Sequence, residues 1–111
     1  MMTPIERIRI MTGLFTFRYK SASLLLINWD DGHATISELH SRRQGKGHAT
    51  KLLTKVIHLA DTLELDLVLE AHAYGKKKHR PSNTQLQAFY EKHGFVVLNT
   101  RMPVFMKRKH R

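Results

Sequence analysis

From Gly13 to Tyr19 the side chains alternate, with Leu14, Thr16 and Arg18 on one side and Phe15, Phe17 and Tyr19 on the other. That period of two is the mark of a strand, here with one aromatic face. Ser21 to Asn28 predicts a second strand with a buried centre at Leu24-Leu25-Leu26. Trp29-Asp30-Asp31-Gly32 supplies the Asp-Gly signal of a hairpin turn, and His33 to His40 a third strand. Within that third strand the parity slips. Ala34 and Ile36 share a face, yet Leu39 falls on the other, which predicts a β-bulge near Ser37-Glu38.

Ala49, Leu52, Leu53, Val56, Ile57, Ala60 and Leu63 then follow the i, i+3, i+4, i+7 rule, while Lys51, Lys55, His58 and Asp61 take the opposite face. This predicts an amphipathic helix. Leu65 to Ala71 reads as a short strand, so the strands flanking the helix should be parallel and joined by a right-handed crossover. Pro81-Ser82-Asn83 opens a second helix, with Ser82 as N-cap, an inner stripe of Leu86, Phe89 and Tyr90, and Gly94 as its stop. Phe95 to Leu98 and Val104 to Met106 predict two closing strands. The expected order is β-β-β-α-β-α-β-β, an α+β fold with a mixed sheet.

Composition narrows the function classes. At 111 residues the chain fits one domain spanning 1–111. With no cysteine, disulfide frameworks, cysteine-zinc sites and a cysteine nucleophile are excluded. The eight histidines show no convincing ligand spacing, so no metal is expected. The first ten residues lack the apolar run of a signal peptide, and the longest wholly apolar stretch, Leu24 to Ile27, cannot span a bilayer. A cytoplasmic protein without membrane contact is the expectation. Charge is unevenly spread: residues 1–75 hold nine basic and eight acidic side chains, and residues 76–111 ten basic and one acidic. The excess lies in Lys76-Lys77-Lys78-His79-Arg80 and Lys107-Arg108-Lys109-His110-Arg111, two runs suited to polyanion contact.

Gly45-Lys46-Gly47 stands between the third strand and the first helix. Glycine lets a ligand approach the main chain, and the first helical amides, with the helix dipole behind them, attract phosphate. Neither the phosphate loop of nucleotide triphosphatases nor the dinucleotide fingerprint matches this spacing.

Arg42-x-x-Gly45-x-Gly47 resembles the Arg/Gln-x-x-Gly-x-Gly/Ala signature of the GNAT superfamily of N-acetyltransferases. Asn83-x-x-Leu86-x-x-Phe89-Tyr90-Glu91-Lys92-x-Gly94-Phe95 is similar to the same family's Asn-x-x-Ala-x-x-Leu-Tyr-x-Lys-x-Gly-Phe segment. The two matches keep the family's order and separation, and the resemblance covers roughly Thr16 to Met106. It implies the acyl-CoA N-acyltransferase fold with acetyl-CoA as co-substrate and no metal. It also implies that amides of Gln44, Gly45, Lys46, Gly47, His48 and Ala49 wrap the pyrophosphate, and that main chain at Leu39 and Ser41, together with Asn83, meets the pantetheine arm.

The matching tyrosine, Tyr90, is implied as the general acid that protonates the departing thiolate, since a phenol stays protonated at neutral pH. Glu38, at the expected bulge, is a candidate general base; His40 and His72 are weaker ones. Gln44 stands where many members carry arginine, and Ala49 where many carry glycine. The family's N-terminal helices, one wall of the acceptor pocket, have no counterpart in this sequence. The expectation is therefore an open site that takes an amine on a protein or other macromolecule, or is completed by a second subunit in a homodimer. The alternative is a basic GNAT-fold module that binds nucleic acid or a protein partner without catalysis.

Overall fold

A computed structural model of the chain describes residues 13–43, 46–72, 82–99, 101 and 103–111. Three strands come first, β1 (Gly13–Tyr19), β2 (Ala22–Asn28) and β3 (His33–Ser41), followed by helix α1 (His48–Thr62) and strand β4 (Asp66–Glu70). Helix α2 (Asn83–Lys92) precedes β5 (Val96–Val97) and β6 (Phe105–Arg108). The expected order of elements is the observed one. Its boundaries move by a residue or two, most at the C-terminal end, where β6 begins at Phe105 and runs on to Arg108.

The six strands form one sheet in the order β1-β2-β3-β4-β6-β5. β1, β2 and β3 make an antiparallel meander; β3 and β4, joined through α1, are parallel. The parity slip in β3 is a bulge. Leu25 pairs with Ser37 and Ser23 with His40, so β3 spends one residue more than β2 over the same span. Glu38 absorbs it at φ 56°, in the left-handed region, and Leu39 turns inward and is buried.

One face of the sheet holds the core. Leu24 and Leu26 of β2, Ala34 and Ile36 of β3, Leu67 and Leu69 of β4 and Met106 of β6 pack against Leu52, Leu53, Val56 and Ala60 of α1. Leu86 and Tyr90 of α2 join the same cluster, so both helices lie on this face. The opposite face carries no helix among the described residues, and Leu14, Val96, Leu98 and Phe105 stay exposed there. No described helix is long and apolar enough to cross a membrane.

The C-terminal basic run is partly consumed by folding. Arg108, only 5% exposed, gives two bonds to the Asp61 carboxylate (2.7 and 3.2 Å) and a third to the His93 carbonyl (3.0 Å). The Arg111 amide also donates to Asp61, at 3.0 Å. Asp66 receives the His110 amide (3.0 Å) and faces His110 Nδ1 at 2.8 Å, with Lys107 Nζ at 3.7 Å. Two aspartates around the end of α1 thus tie down the last strand and the residues after it. The Arg108 hydrogen bonds hold the Asp61 carboxyl below the usual range, helped by Arg111; the His110 amide and ring, with Lys107, do the same for Asp66.

Asp61→Ala leaves the Arg108 guanidinium buried without its partner and is expected to cost about 3 kcal/mol, read as a lower urea midpoint at unchanged slope. Because the unfolded aspartates bind protons more readily, stability is expected to hold at neutral pH and to decline as pH falls below about 4. Asp61→Asn should flatten that decline.

Candidate active site

Parallel pairing between β3 and β4 runs from His33 opposite Asp66 to Ile36 opposite Leu69 and stops there. β3 continues to Ser41 on the β2 side, whereas the chain after β4 is held by β6 and by the Ala71 amide bonding to the Val104 carbonyl at 2.8 Å. The bulge at Glu38 begins where the two strands part. The sheet is thereby split toward the end at which β3 hands over to α1. Main chain at Leu39 and Ser41 lies along one side of the split.

Above the split, α1 begins on Gly47, its N-cap residue, at φ 73° and ψ 10°. That conformation suits glycine, and nothing lies within 4 Å of where a Cβ would stand. No side chain caps the helix and its first turn holds no acidic residue. The first helical bond runs from the Lys51 amide to the Gly47 carbonyl at 3.0 Å. The preceding amides, of His48, Ala49 and Thr50, point out of the helix start, where the dipole adds partial positive charge. Such a start is a receptor for an anion. Lys46, Gly47, His48 and Ala49 all stand at this position; Gln44 and Gly45 lie outside the described residues.

His48 fixes the helix start to the sheet. Its Nδ1 faces Ser21 Oγ at 2.5 Å and the Ser21 amide at 3.4 Å, across 27 residues of sequence. An amide can only donate, so this arrangement fits a neutral imidazole with its proton on Nε2. Ser21 Oγ in turn lies 2.8 Å from Ser41 Oγ. The staple therefore joins the β1–β2 turn, the end of β3 and the first residue of α1. Nothing local in the sequence announces it.

The second motif lies on α2. Ser82 caps the helix, accepting from the Gln85 amide at 3.1 Å while Gln85 Oε1 accepts from the Ser82 amide at 2.9 Å. This capping box sets Asn83, exposed, as the first helical residue. Tyr90 is 4% exposed, with Phe89 and Phe95 edge-on at 5.4 and 5.5 Å between ring centroids. Glu38 is exposed on the bulge. The two expected catalytic residues thus occupy different environments, one in the core and one at the surface. His40 sits beside Glu38, its Nδ1 3.1 Å from the Glu38 carbonyl, and His72, itself exposed, lies two residues after β4. No group of three His, Asp or Glu suited to a metal occurs among the described residues.

The His48 staple is open to measurement. His48→Phe keeps a ring but removes the acceptor and should cost about 1 kcal/mol in stability; Ser21→Ala should cost a similar amount, and the double variant little more than either. Additive losses in chemical denaturation would show that the two residues act separately.

Comparison with known proteins places this geometry. No curated protein matches the chain in sequence. Among solved structures, the anti-CRISPR protein AcrVA5 is similar over 86% of this chain and 97% of its own, with a TM-score of 0.72 and 17% identity. A GNAT family acetyltransferase from Elizabethkingia anophelis with acetyl-CoA bound is similar over 95% and 80% of the two chains, with a TM-score of 0.63 and 18% identity. An acyl-CoA N-acyltransferase from Pseudomonas aeruginosa is similar over 78% of this chain but only 58% of its own length, with a TM-score of 0.59 and 23% identity. These likenesses establish the acyl-CoA N-acyltransferase fold. The family model described as the acetyltransferase (GNAT) family matches residues 21–95, a span that runs from the Ser21 staple through the glycine loop to the end of the α2 motif, and the chain belongs to that family.

Proposed function

We propose that this chain is an acetyl-CoA-dependent N-acetyltransferase that transfers acetyl directly to a primary amine on a macromolecule. The observation that carries the reading is the uncapped start of α1, on a left-handed Gly47, beside the split between β3 and β4. A diphosphate meets the amides of Lys46, Gly47, His48 and Ala49, with Gln44 and Gly45 assigned to the same loop by sequence position. An extended amide-bearing arm fits along Leu39 and Ser41, whose main chain has left the β4 ladder, and Asn83 stands at the exposed start of the helix bearing Tyr90.

Acetyl-CoA supplies a thioester carbonyl for the amine to attack. Glu38, solvated on the bulge, accepts the proton that the incoming ammonium must lose. Tyr90 gives its phenolic proton to the thiolate as the carbon–sulfur bond breaks. Its ring is buried and packed edge-on against Phe89 and Phe95, which fixes the direction in which the phenol projects.

Two features support a macromolecular acceptor. The face of the sheet opposite the helices is uncovered among the described residues, so approach is broad. One similar structure, matched over 97% of its own length, is that of an anti-CRISPR protein. The non-catalytic reading has less support: it drew on the basic runs, and Arg108 and His110 are engaged by Asp61 and Asp66.

Gly47→Trp places an indole where the diphosphate must approach and is expected to abolish acetyl-CoA affinity in calorimetry while the fold is retained. Tyr90→Phe should bind acetyl-CoA within about twofold of wild type yet lose about a hundredfold in thiol release with an amine acceptor. Unchanged turnover in Tyr90→Phe removes it as the acid. Affinity retained in Gly47→Trp removes the glycine loop. Nucleic-acid binding with a steep salt slope, and no response to acetyl-CoA, would favour the binding module.

A further inference from the structure

A cluster of lysines on the outer side of α1 has no part in the chemistry above. Lys46, Lys51 and Lys55 join Tyr19, at the end of β1, and Lys20 of the β1–β2 turn around an open depression of about 740 Å³, which reaches Gly47 and His48 at the helix start. Tyr19 organises it. Its ring meets the His48 ring edge-on at 6.0 Å, and two ammonium groups stand over it, Lys55 Nζ at 4.9 Å and Lys20 Nζ at 5.6 Å from the centroid.

None of the four lysines forms an ion pair with a described residue. Lys51 and Lys55, one turn apart, repel each other along the helix. The Tyr19 ring offsets part of the repulsion among these charges, and no acidic side chain among the described residues pairs with them. Gathered cations in a depression concentrate an anion. The four lysines line one depression, and two of their ammonium groups, those of Lys20 and Lys55, converge on one ring rather than running in a stripe. That ring is half-buried, with His48 at its edge and ammonium groups over its face, so it offers no stacking platform for successive bases. A single, doubly charged phosphate is the ligand that this arrangement fits.

We infer that the depression receives the 3′-phosphate of coenzyme A, an inference that rests on the reading that the α1 amides take the diphosphate. In coenzyme A one ribose links these two phosphate groups, so a 3′-phosphate must land close to the helix start. Lys51 and Lys55 stand about 4.5 and 10.5 Å of helix rise beyond His48, and a lysine side chain can reach back toward it. At neutral pH a phosphate monoester carries nearly two negative charges, and charge-assisted bonds to ammonium groups are the strong kind. The lysine cluster thus selects coenzyme A over its 3′-dephospho form.

The experiment is a calorimetric comparison of coenzyme A with 3′-dephospho-coenzyme A. Wild type is expected to bind coenzyme A about tenfold more tightly. In the K51Q/K55Q double variant, whose substitutions are on the surface, the ratio of the two affinities should fall to within about twofold of unity. K109Q, which removes a charge at the far end of the chain, should leave the wild-type ratio in place. A wild-type ratio of one, or a ratio that survives in K51Q/K55Q, overturns the inference while leaving the diphosphate reading intact. Binding of neither compound overturns both.

Discussion

The extra residue in β3 is the constraint on which the rest of the molecule depends. Two parallel strands normally stay in register for as long as both continue. Here β3 takes on Glu38 at a positive φ and leaves β4 after Ile36. The residues beyond the bulge keep their pairing with β2, so the strand is still anchored on one side while the other side is freed. A gap lined by main chain in the middle of a sheet is costly unless something pairs with it. It is also the place where an extended amide-bearing ligand can pair with a sheet without competing for an outer edge.

A gap alone would not position a ligand. In the proposed reading the start of α1 does so, because its amides stand at the same end of the sheet, and because the Ser41–Ser21–His48 contacts hold β3, the β1–β2 turn and the helix together. At the other end of α1, Asp61 grips Arg108 and Asp66 grips His110, which keeps β6 beside β4. The helix is thus pinned at both ends: one pin holds a site open, and the other holds the sheet closed. A fold with few elements can carry a split sheet because its polar contacts fall at these two places.

Much of this was legible in the sequence. Period-two and period-3.6 patterns gave the order of strands and helices, the parity of Ile36 and Leu39 gave the bulge, and Ser82 announced its helix. The glycine loop and the asparagine–tyrosine segment gave the family. What stayed hidden was contact between residues far apart in the chain. The Lys107–Arg111 run reads as a solvated, polyanion-seeking tail, yet Arg108 is buried on an aspartate 47 residues away. Lys20 and Lys55 belong to separate elements, and only the packing of α1 on β1 brings both over Tyr19. No motif announces the contact between Ser21 and His48. Periodicity reports which face a side chain takes, not which partner it meets there. The Lys76–Arg80 run lies outside the described residues.

Amide hydrogen exchange tests the central claim most directly, because the claim concerns particular backbone N–H groups. On saturation with acetyl-CoA, the amides of residues 46–50 should exchange at least about tenfold more slowly, together with those around Leu39 and Ser41, while the core of β2 stays as it was. Saturating acetyl-CoA that leaves the amides at the start of α1 exchanging at their original rate would contradict the account.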